Sequence, residues 1–335
     1  MFHIGPVPKS LYIAALRLIF FLLLFWYLFC LFIPPGDGNT VCDVSFPTGS
    51  GIRRLAGELK SGGVIRSSWH FILLTRLRGK SHQLKAGEYS FSDAMTPSEI
   101  LNKVASGDVD YRKFSLPEGY SIYQAAELLE QKGYFNGGAF LEKCRDPELL
   151  ARLGLAGGSV EGYLYPATYN LLRKGDVEQL ISQMVIQFEK RYAELSAEGG
   201  NAAGLSRREV VTMASVIEKE AVSQEDKPLI SSVFHNRLRL GMPLQSDPTA
   251  VYGVRAFSGK VTKADIKRES PYNTYLKKGL PPGPIGNPGA ESIRAALFPA
   301  KTNYLYFVAR RDGTHQFSRT LDEHNRAVKQ YLRTS

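Results

Sequence analysis

At 335 residues the chain is too long for a single core and has room for a membrane anchor with two or three modest domains. Its formal charge of +10 suits an anionic polymer or a membrane surface, but the basic residues are scattered, with no RGG-like run, recognition-helix cluster or zinc spacing, which argues against nucleic acid. Three cysteines make no disulfide framework, since Cys30 lies in an apolar run and leaves only Cys42 and Cys144 to pair; His3, His70, His82, His235, His315 and His324 lack metal-ligand spacing, so no metal or cofactor is expected.

The residues from Leu11 to Ile33 are apolar apart from Arg17, and from Leu18 onward the run is unbroken. It is long enough to span a bilayer core, Arg17 can snorkel to the headgroups, and Pro34, Pro35 and Gly36 end it. No small-residue cleavage site of the AxA type follows, which reads as an uncleaved signal anchor. Residues 1–10 are then a short basic cytoplasmic tail, 11–33 a transmembrane helix, and nearly everything else lies on the extracytoplasmic side of a single-pass inner-membrane protein.

Residues 43–108 read as strand, helix, helix, strand, helix. The pieces are Val44 to Pro47, Gly51 to Leu59 stopped by Gly62 and Gly63, Ser68 to Leu77, Leu84 to Phe91, and a helix opened by Thr96, Pro97 and Glu99. This small α+β module resembles the LysM modules that bind glycans. A connecting α+β region, 109–157, holds a strand from Tyr111 to Leu116, a helix from Ile122 capped by Ser121 and Gln124, and a helix begun by Asp146 and Pro147; Gly154 to Gly158 lead into the last domain. The whole is of the α+β class, with a mixed α+β domain over 158–335.

In that last domain a helix spans about Val177 to Leu195, and Gly199 to Gly204 form a flexible link. Ser206 and Glu209 then make a capping box for a helix whose apolar residues recur at Val210, Met213, Ala214, Ile217 and Ala221. Glu218 and Glu220 lie on opposite flanks of that stripe, roughly 160° apart at about 100° per residue, so they cannot converge on one site from this helix. A carboxylate against an apolar wall has its charged form penalised and can hold a proton near neutral pH as a general acid; a salt bridge to Lys219 or a nearby Arg is the alternative. Periodicity alone does not choose between the two glutamates.

A further helix runs from about Lys227 to Leu240, closed by Gly241. Met242 to Pro288 is poor in regular structure, and long irregular segments in compact domains are usually functional or disordered; its tyrosines and proline-fixed turns argue against disorder. ESIRAALFP and TNYLYFVAR supply a last helix and strand. Sugar sites need flat apolar faces with polar edges, and this half offers Tyr163, Tyr165, Tyr169, Tyr252, Tyr272 and Tyr275 beside Asn236, Gln245, Asp247 and Asn273.

Several long motifs stand in fixed order: LPEGYS (Leu116 to Ser121), EGYLYPATY (Glu161 to Tyr169), SVIEKEA (Ser215 to Ala221), VFHNRLRLGMPLQSDPTAVYG (Val233 to Gly253), YNTYLKKGLPPGPIGNPG (Tyr272 to Gly289) and NYLYFVA (Asn303 to Ala309). Together with the anchor they cover essentially the whole chain, which resembles the endolytic murein transglycosylases of the MltG, or YceG-like, type. The resemblance implies a membrane-anchored lyase that cuts the β-1,4 bond between N-acetylmuramic acid and N-acetylglucosamine inside nascent peptidoglycan strands, leaving 1,6-anhydro ends and limiting strand length. It makes the first glutamate of the EKE motif, Glu218, catalytic. Glu220 is left supporting, Gln245, Asn273 and Tyr275 become candidate substrate contacts, and Ala214 and Ser215 would leave room for a sugar. Partners would be glycan strands and the peptidoglycan synthases, the penicillin-binding proteins. A water-using hydrolase with Asp247 as second carboxylate, and a non-catalytic peptidoglycan-binding scaffold, are the rival readings.

Overall fold

A 24-residue helix, α1 (Lys9–Phe32), opens the computed structural model, which describes residues 9–47, 49–109, 111–172, 175–200, 204–254 and 261–332. From Leu11 its side chains are mostly exposed, and the helix is long and apolar enough to cross a membrane. Two compact units follow from the packing, 1–112 with 170–174, and 113–169 with 175–335.

In the first unit β1 (Val41–Phe46) is followed by α2 (Ile52–Ser61), α3 (Ser68–Leu77), β2 (Gly87–Ser92) and α4 (Pro97–Ser106). The order is the one read from the sequence, and α3 has the expected bounds because Ser67 accepts the His70 N–H at its start. β1 and β2 pair antiparallel, with Cys42 opposite Phe91 and Val44 opposite Tyr89. Their inward side chains, Val44, Phe46, Tyr89 and Phe91, join Leu55, Leu59, Phe71, Ile100, Leu101 and Val104 in one core. Alternate residues of a strand face the same side, so a six-residue strand contributes two or three such anchors.

The second unit takes up the chain within β3 (Arg112–Ser115), continues through α5 (Ile122–Gln131), α6 (Gly137–Lys143) and α7 (Pro147–Arg152), and runs to Tyr169 within β4 (Thr168–Leu171), the strand that pairs with β3. Then come α8 (Val177–Ser196), α9 (Arg207–Glu220), α10 (Lys227–Arg239), the short α11 (Asp247–Val251) and α12 (Lys263–Lys267), α13 (Ala290–Leu297), the antiparallel pair β5 (Tyr306–Ala309) and β6 (His315–Ser318), and α14 (Leu321–Leu332). The residues expected to form a separate connecting region pack, from Lys113 onward, in one unit with the rest of this half. Sequence patterning missed α6, β4, α11, α12, β6 and α14; all but α14 are four to seven residues long, too short for periodicity to register. Part of the expected Gly199–Gly204 link lies outside the described residues.

The centre of this unit is α9. The capping box is present, with Ser206 Oγ accepting the Glu209 N–H and Glu209 receiving the Ser206 N–H. Every residue from Val210 to Ile217 is buried, because α13, α10 and α11 pack around the helix. The single apolar stripe expected from the sequence is thus replaced by burial on all sides, as in a core helix. Ala214 and Ser215 are both 0% exposed. Ser215 Oγ donates to the Thr212 carbonyl and accepts the Ile285 N–H at 3.0 Å, so the GPIG stretch lies where room for a sugar was expected. The two ends emerge from the core, Arg207 to Glu209 at the start and Glu218 to Glu220 in the last turn. The three cysteines are free.

Candidate active site

Two local placements go against the helix dipole. Carboxylates are disfavoured at a helix C-terminus and cations at an N-terminus, yet α9 ends in Glu218 and Glu220 while α10 begins with Lys227. The placements explain each other: Lys227 Nζ donates to Glu218 Oε1 at 3.1 Å, with the two side chains 4% and 8% exposed. The second oxygen, Oε2, accepts the Gly289 N–H at 2.9 Å, from the residue that caps α13. The partner expected from the sequence, Lys219, instead donates to Gln124 Oε1.

A third segment reaches the same carboxylate. In LPEGYS, Gly119 adopts φ +73°, and a Cβ there would meet Glu218 Cγ at 3.3 Å. Its N–H donates to the Asn287 carbonyl at 2.8 Å, locking this turn to the GPIGNPG segment. The neighbouring Glu118 lies over Gly289, where a Cβ would fall 2.1 Å from Glu118 Oε1, and its Oε2 is 3.9 Å from Lys227 Nζ. Glu118 is about half exposed. Burial, with the charges of Glu218 and Glu291, pushes its carboxyl above the ordinary range against the pull of Lys227. Glu118, Lys227 and Gly289 did not emerge from the sequence reading. The lysine at the first position of a helix was the available signal.

Glu220 faces elsewhere. Its Oε1 accepts the Ser246 hydroxyl at 2.5 Å, and it anchors the QSDPT turn, whose Gln245 N–H and Ser246 N–H bond to Thr274. Gln245 is exposed, and among the described residues it is the one non-glycine at positive φ, +51°, a strained conformation of the kind often kept at functional positions. Tyr275 Oη donates to Asp247 Oδ1 at 2.6 Å, and Tyr275 N–H to Asn273 Oδ1 at 3.0 Å. Asn273, an expected substrate contact, is 0% exposed, and its amide is spent on the carbonyls of Ile266 and Arg268. This corrects the expectation: a fully buried amide with its donors committed to backbone carbonyls shapes the loop and does not reach a ligand. Gln245, Asn273 and Tyr275 therefore form one cluster on the Glu220 side of α9, while the partners of Glu218 come from other segments. Asp247 is engaged with Tyr275, and the second carboxylate beside the Glu218–Lys227 pair is Glu118.

Two carboxyls have pKa values raised to about 7. Glu220 is shifted by desolvation, opposed by the Ser246 hydrogen bond. Glu161, 3% exposed, is shifted by burial against hydrogen bonds from the Ile122 N–H and Tyr252 Oη. A carboxyl whose folded pKa lies above its unfolded value of 4.5 contributes stability below about pH 4.5, and that contribution is lost as pH rises toward about 7. Glu220→Gln keeps an acceptor for Ser246 and removes the titration. Urea unfolding of the full chain in detergent should find the variant close to wild type at about pH 5 and more stable by on the order of 2 kcal/mol at about pH 8. A difference between variant and wild type that does not change with pH would count against a desolvated Glu220.

A cavity of about 270 Å³ opens above Glu161, lined by Tyr123, Tyr252, Tyr272, Arg145 and Arg208. It belongs to the tyrosine-rich surface anticipated from composition, with Tyr252 and Tyr272 rings 4.6 Å apart. Tyr163 and Tyr169 are instead packing residues, only 4% and 8% exposed.

A family model described as YceG-like matches residues 44–330. An endolytic murein transglycosylase of Bacillus subtilis (strain 168) is 34% identical over 312 residues, covering 88% of this chain and 86% of that protein. One of Streptococcus pneumoniae (strain R6) is 29% identical over 89% of this chain, which spans 60% of that relative's length. The crystal structure of a yceG-like protein of Listeria monocytogenes superposes with a TM-score of 0.59 at 36% identity, covering 86% of this chain and 99% of that one. With a family model matching most of its length and a relative of this identity and coverage, the chain belongs to the YceG-like family.

Proposed function

We propose that the chain is an endolytic murein transglycosylase, a lyase that cuts the β-1,4 bond between N-acetylmuramic acid and N-acetylglucosamine in nascent glycan strands and leaves 1,6-anhydro ends. The observation that carries the reading is the Glu218 carboxyl at the end of a buried helix, held by Lys227 and by the Gly289 N–H. Protonated Glu218 gives its proton to the glycosidic oxygen as the bond to the muramyl anomeric carbon breaks. The muramyl 6-hydroxyl attacks that carbon, and the carboxylate takes up the hydroxyl proton. No water is consumed and Glu218 ends protonated, ready for another turnover. Positioned proton transfer of this kind is worth about 10²- to 10⁴-fold in rate.

Gln245 and Tyr275 are proposed to contact the glycan, with the strained backbone at Gln245 and its exposure in support. Residues 11–33 are read as an anchor in the bacterial cytoplasmic membrane, with residues 1–10 inside and the enzyme on the outer side, near the synthases that make its substrate; a helix long and apolar enough to cross a membrane supports this reading. Residues 43–108 act as a LysM-like glycan-holding module; their strand, helix, helix, strand order supports this reading. Residues 158–335 carry the chemistry together with LPEGYS from the preceding region.

A half-exposed second carboxylate at Glu118 favours one other mechanism, hydrolysis with an activated water. Digestion of purified glycan strands in ¹⁸O-labelled water separates the two. The lyase gives unlabelled ends lighter by one water than the hydrolytic product; label at the new muramyl ends means water is the nucleophile and excludes the internal attack.

A further inference from the structure

We propose that Glu118 is a positioning residue of the Glu218 site, which takes over the Lys227 ammonium when Glu218 becomes protonated. The inference rests on the reading of Glu218 as the proton donor. Lys227 and Glu218 are 4% and 8% exposed, so neither charge can turn to bulk water. Once Glu218 is neutral it no longer balances the ammonium, and a buried charge without a partner is costly. Glu118 Oε2 is the next anionic oxygen, at 3.9 Å against 3.1 Å for Glu218 Oε1, so the lysine changes partner by moving less than an ångström.

The fold places Glu118 for this exchange. Its carboxyl sits where any side chain at position 289 would be, and Gly289 is the residue whose N–H holds the far oxygen of Glu218. The positive φ of Gly119 and its hydrogen bond to Asn287 fix the turn that carries it. The other charged or titratable groups facing this site are Glu291, in the first turn of α13, Lys219, next along α9, and the Tyr165 phenol, which feels the Glu118 charge. Glu291 is one of the charges that raise Glu118, while Lys219 donates to Gln124. Glu118 thus competes with Glu218 for one ammonium, and its exposed side faces the solvent from which a proton arrives.

The test is the pH dependence of kcat and KM on purified glycan strands, with full-length protein in detergent, for wild type, Glu118→Gln, Glu118→Asp, Glu218→Gln and Lys227→Met with and without Glu118→Gln. Without Glu118, Lys227 stays with ionised Glu218, so the acid is lost at lower pH. Glu118→Gln should lower kcat by about 10- to 100-fold at little change in KM and move the alkaline limb acidward by about one unit, with partial recovery in Glu118→Asp. On the Lys227→Met background Glu118→Gln should move the limb clearly less, leaving only the direct repulsion between Glu118 and Glu218, as expected of a residue acting mainly through the lysine.

An unmoved limb, or a loss confined to KM, overturns the proposal while an inactive Glu218→Gln leaves the reading of Glu218 intact. An equal limb shift with and without Lys227 also overturns it, because Glu118 would then act directly. An active Glu218→Gln removes the acid itself and the proposal with it. Where Glu118→Gln melts below wild type, the limb of Glu118→Asp decides on the same terms.

Discussion

Glu218→Gln should abolish strand cleavage, lowering kcat by about 10³-fold or more while glycan binding stays within a few-fold of wild type. Gln is close in size and can still accept the Lys227 hydrogen bond at 3.1 Å through its carbonyl oxygen, but it can neither donate nor recover a proton in the reaction. Its amide nitrogen would face the Gly289 N–H, so one hydrogen bond of 2.9 Å is also lost. Product analysis by mass spectrometry, with binding measured on the same strands, separates the chemical step from recognition. Retained binding without product is the result of an acid catalyst, and retained cleavage takes Glu218 out of the mechanism. A scaffold that never cut glycan would show no product from wild type either.

The second large effect falls on stability. Asn287 is 0% exposed and joins three motifs: its Oδ1 accepts the Gly162 and Leu164 N–H groups at 2.9 Å each, and its Nδ2 donates to the Tyr120 carbonyl at 2.7 Å and to Glu161 Oε1 at 3.2 Å. Asn287→Ala orphans the buried N–H groups of Gly162 and Leu164 in EGYLYP and removes one partner each from Glu161 and from the Tyr120 carbonyl of LPEGYS. A buried polar group left unsatisfied costs about 1–3 kcal/mol, so a loss of about 3–5 kcal/mol is expected for the set. Thermal melting should drop by about 10 °C for a unit of this size. Cleavage should fall as well, since the same segments carry Glu118, Gly119 and Gly289 to Glu218. A melting point within about 2 °C of wild type would mean that the loops are held elsewhere.

Elements governed by nearest neighbours in the sequence were legible before any coordinates. Thr96 with Glu99, Ser121 with Gln124 and Ser206 with Glu209 each form the capping box their spacing predicts, since both halves of that motif lie within one turn. The apolar run from Leu11 likewise forms α1, because its length and composition are local properties. The motifs, too specific in their order to arise singly, pointed to the YceG-like family that the family model and the relatives then established.

Partner choice was decided by long-range return of the chain. Of the two asparagines in one motif, the sequence singled out Asn273 and passed over Asn287, yet Asn273 closes its own loop while Asn287 ties it to residues more than a hundred positions away. The two glutamates of α9 were equal by periodicity. The tertiary structure separates them, giving Glu218 a buried lysine, a backbone N–H from a position 71 residues on and a neighbouring carboxylate, and Glu220 a serine that anchors a turn. The sequence determined the longer helices from α2 to α10 with α13, and the apolar run long enough to cross a membrane, and it pointed to a carboxylate of α9. Which charges meet that carboxylate depends on burial and on contacts between distant segments, quantities that a local period does not contain.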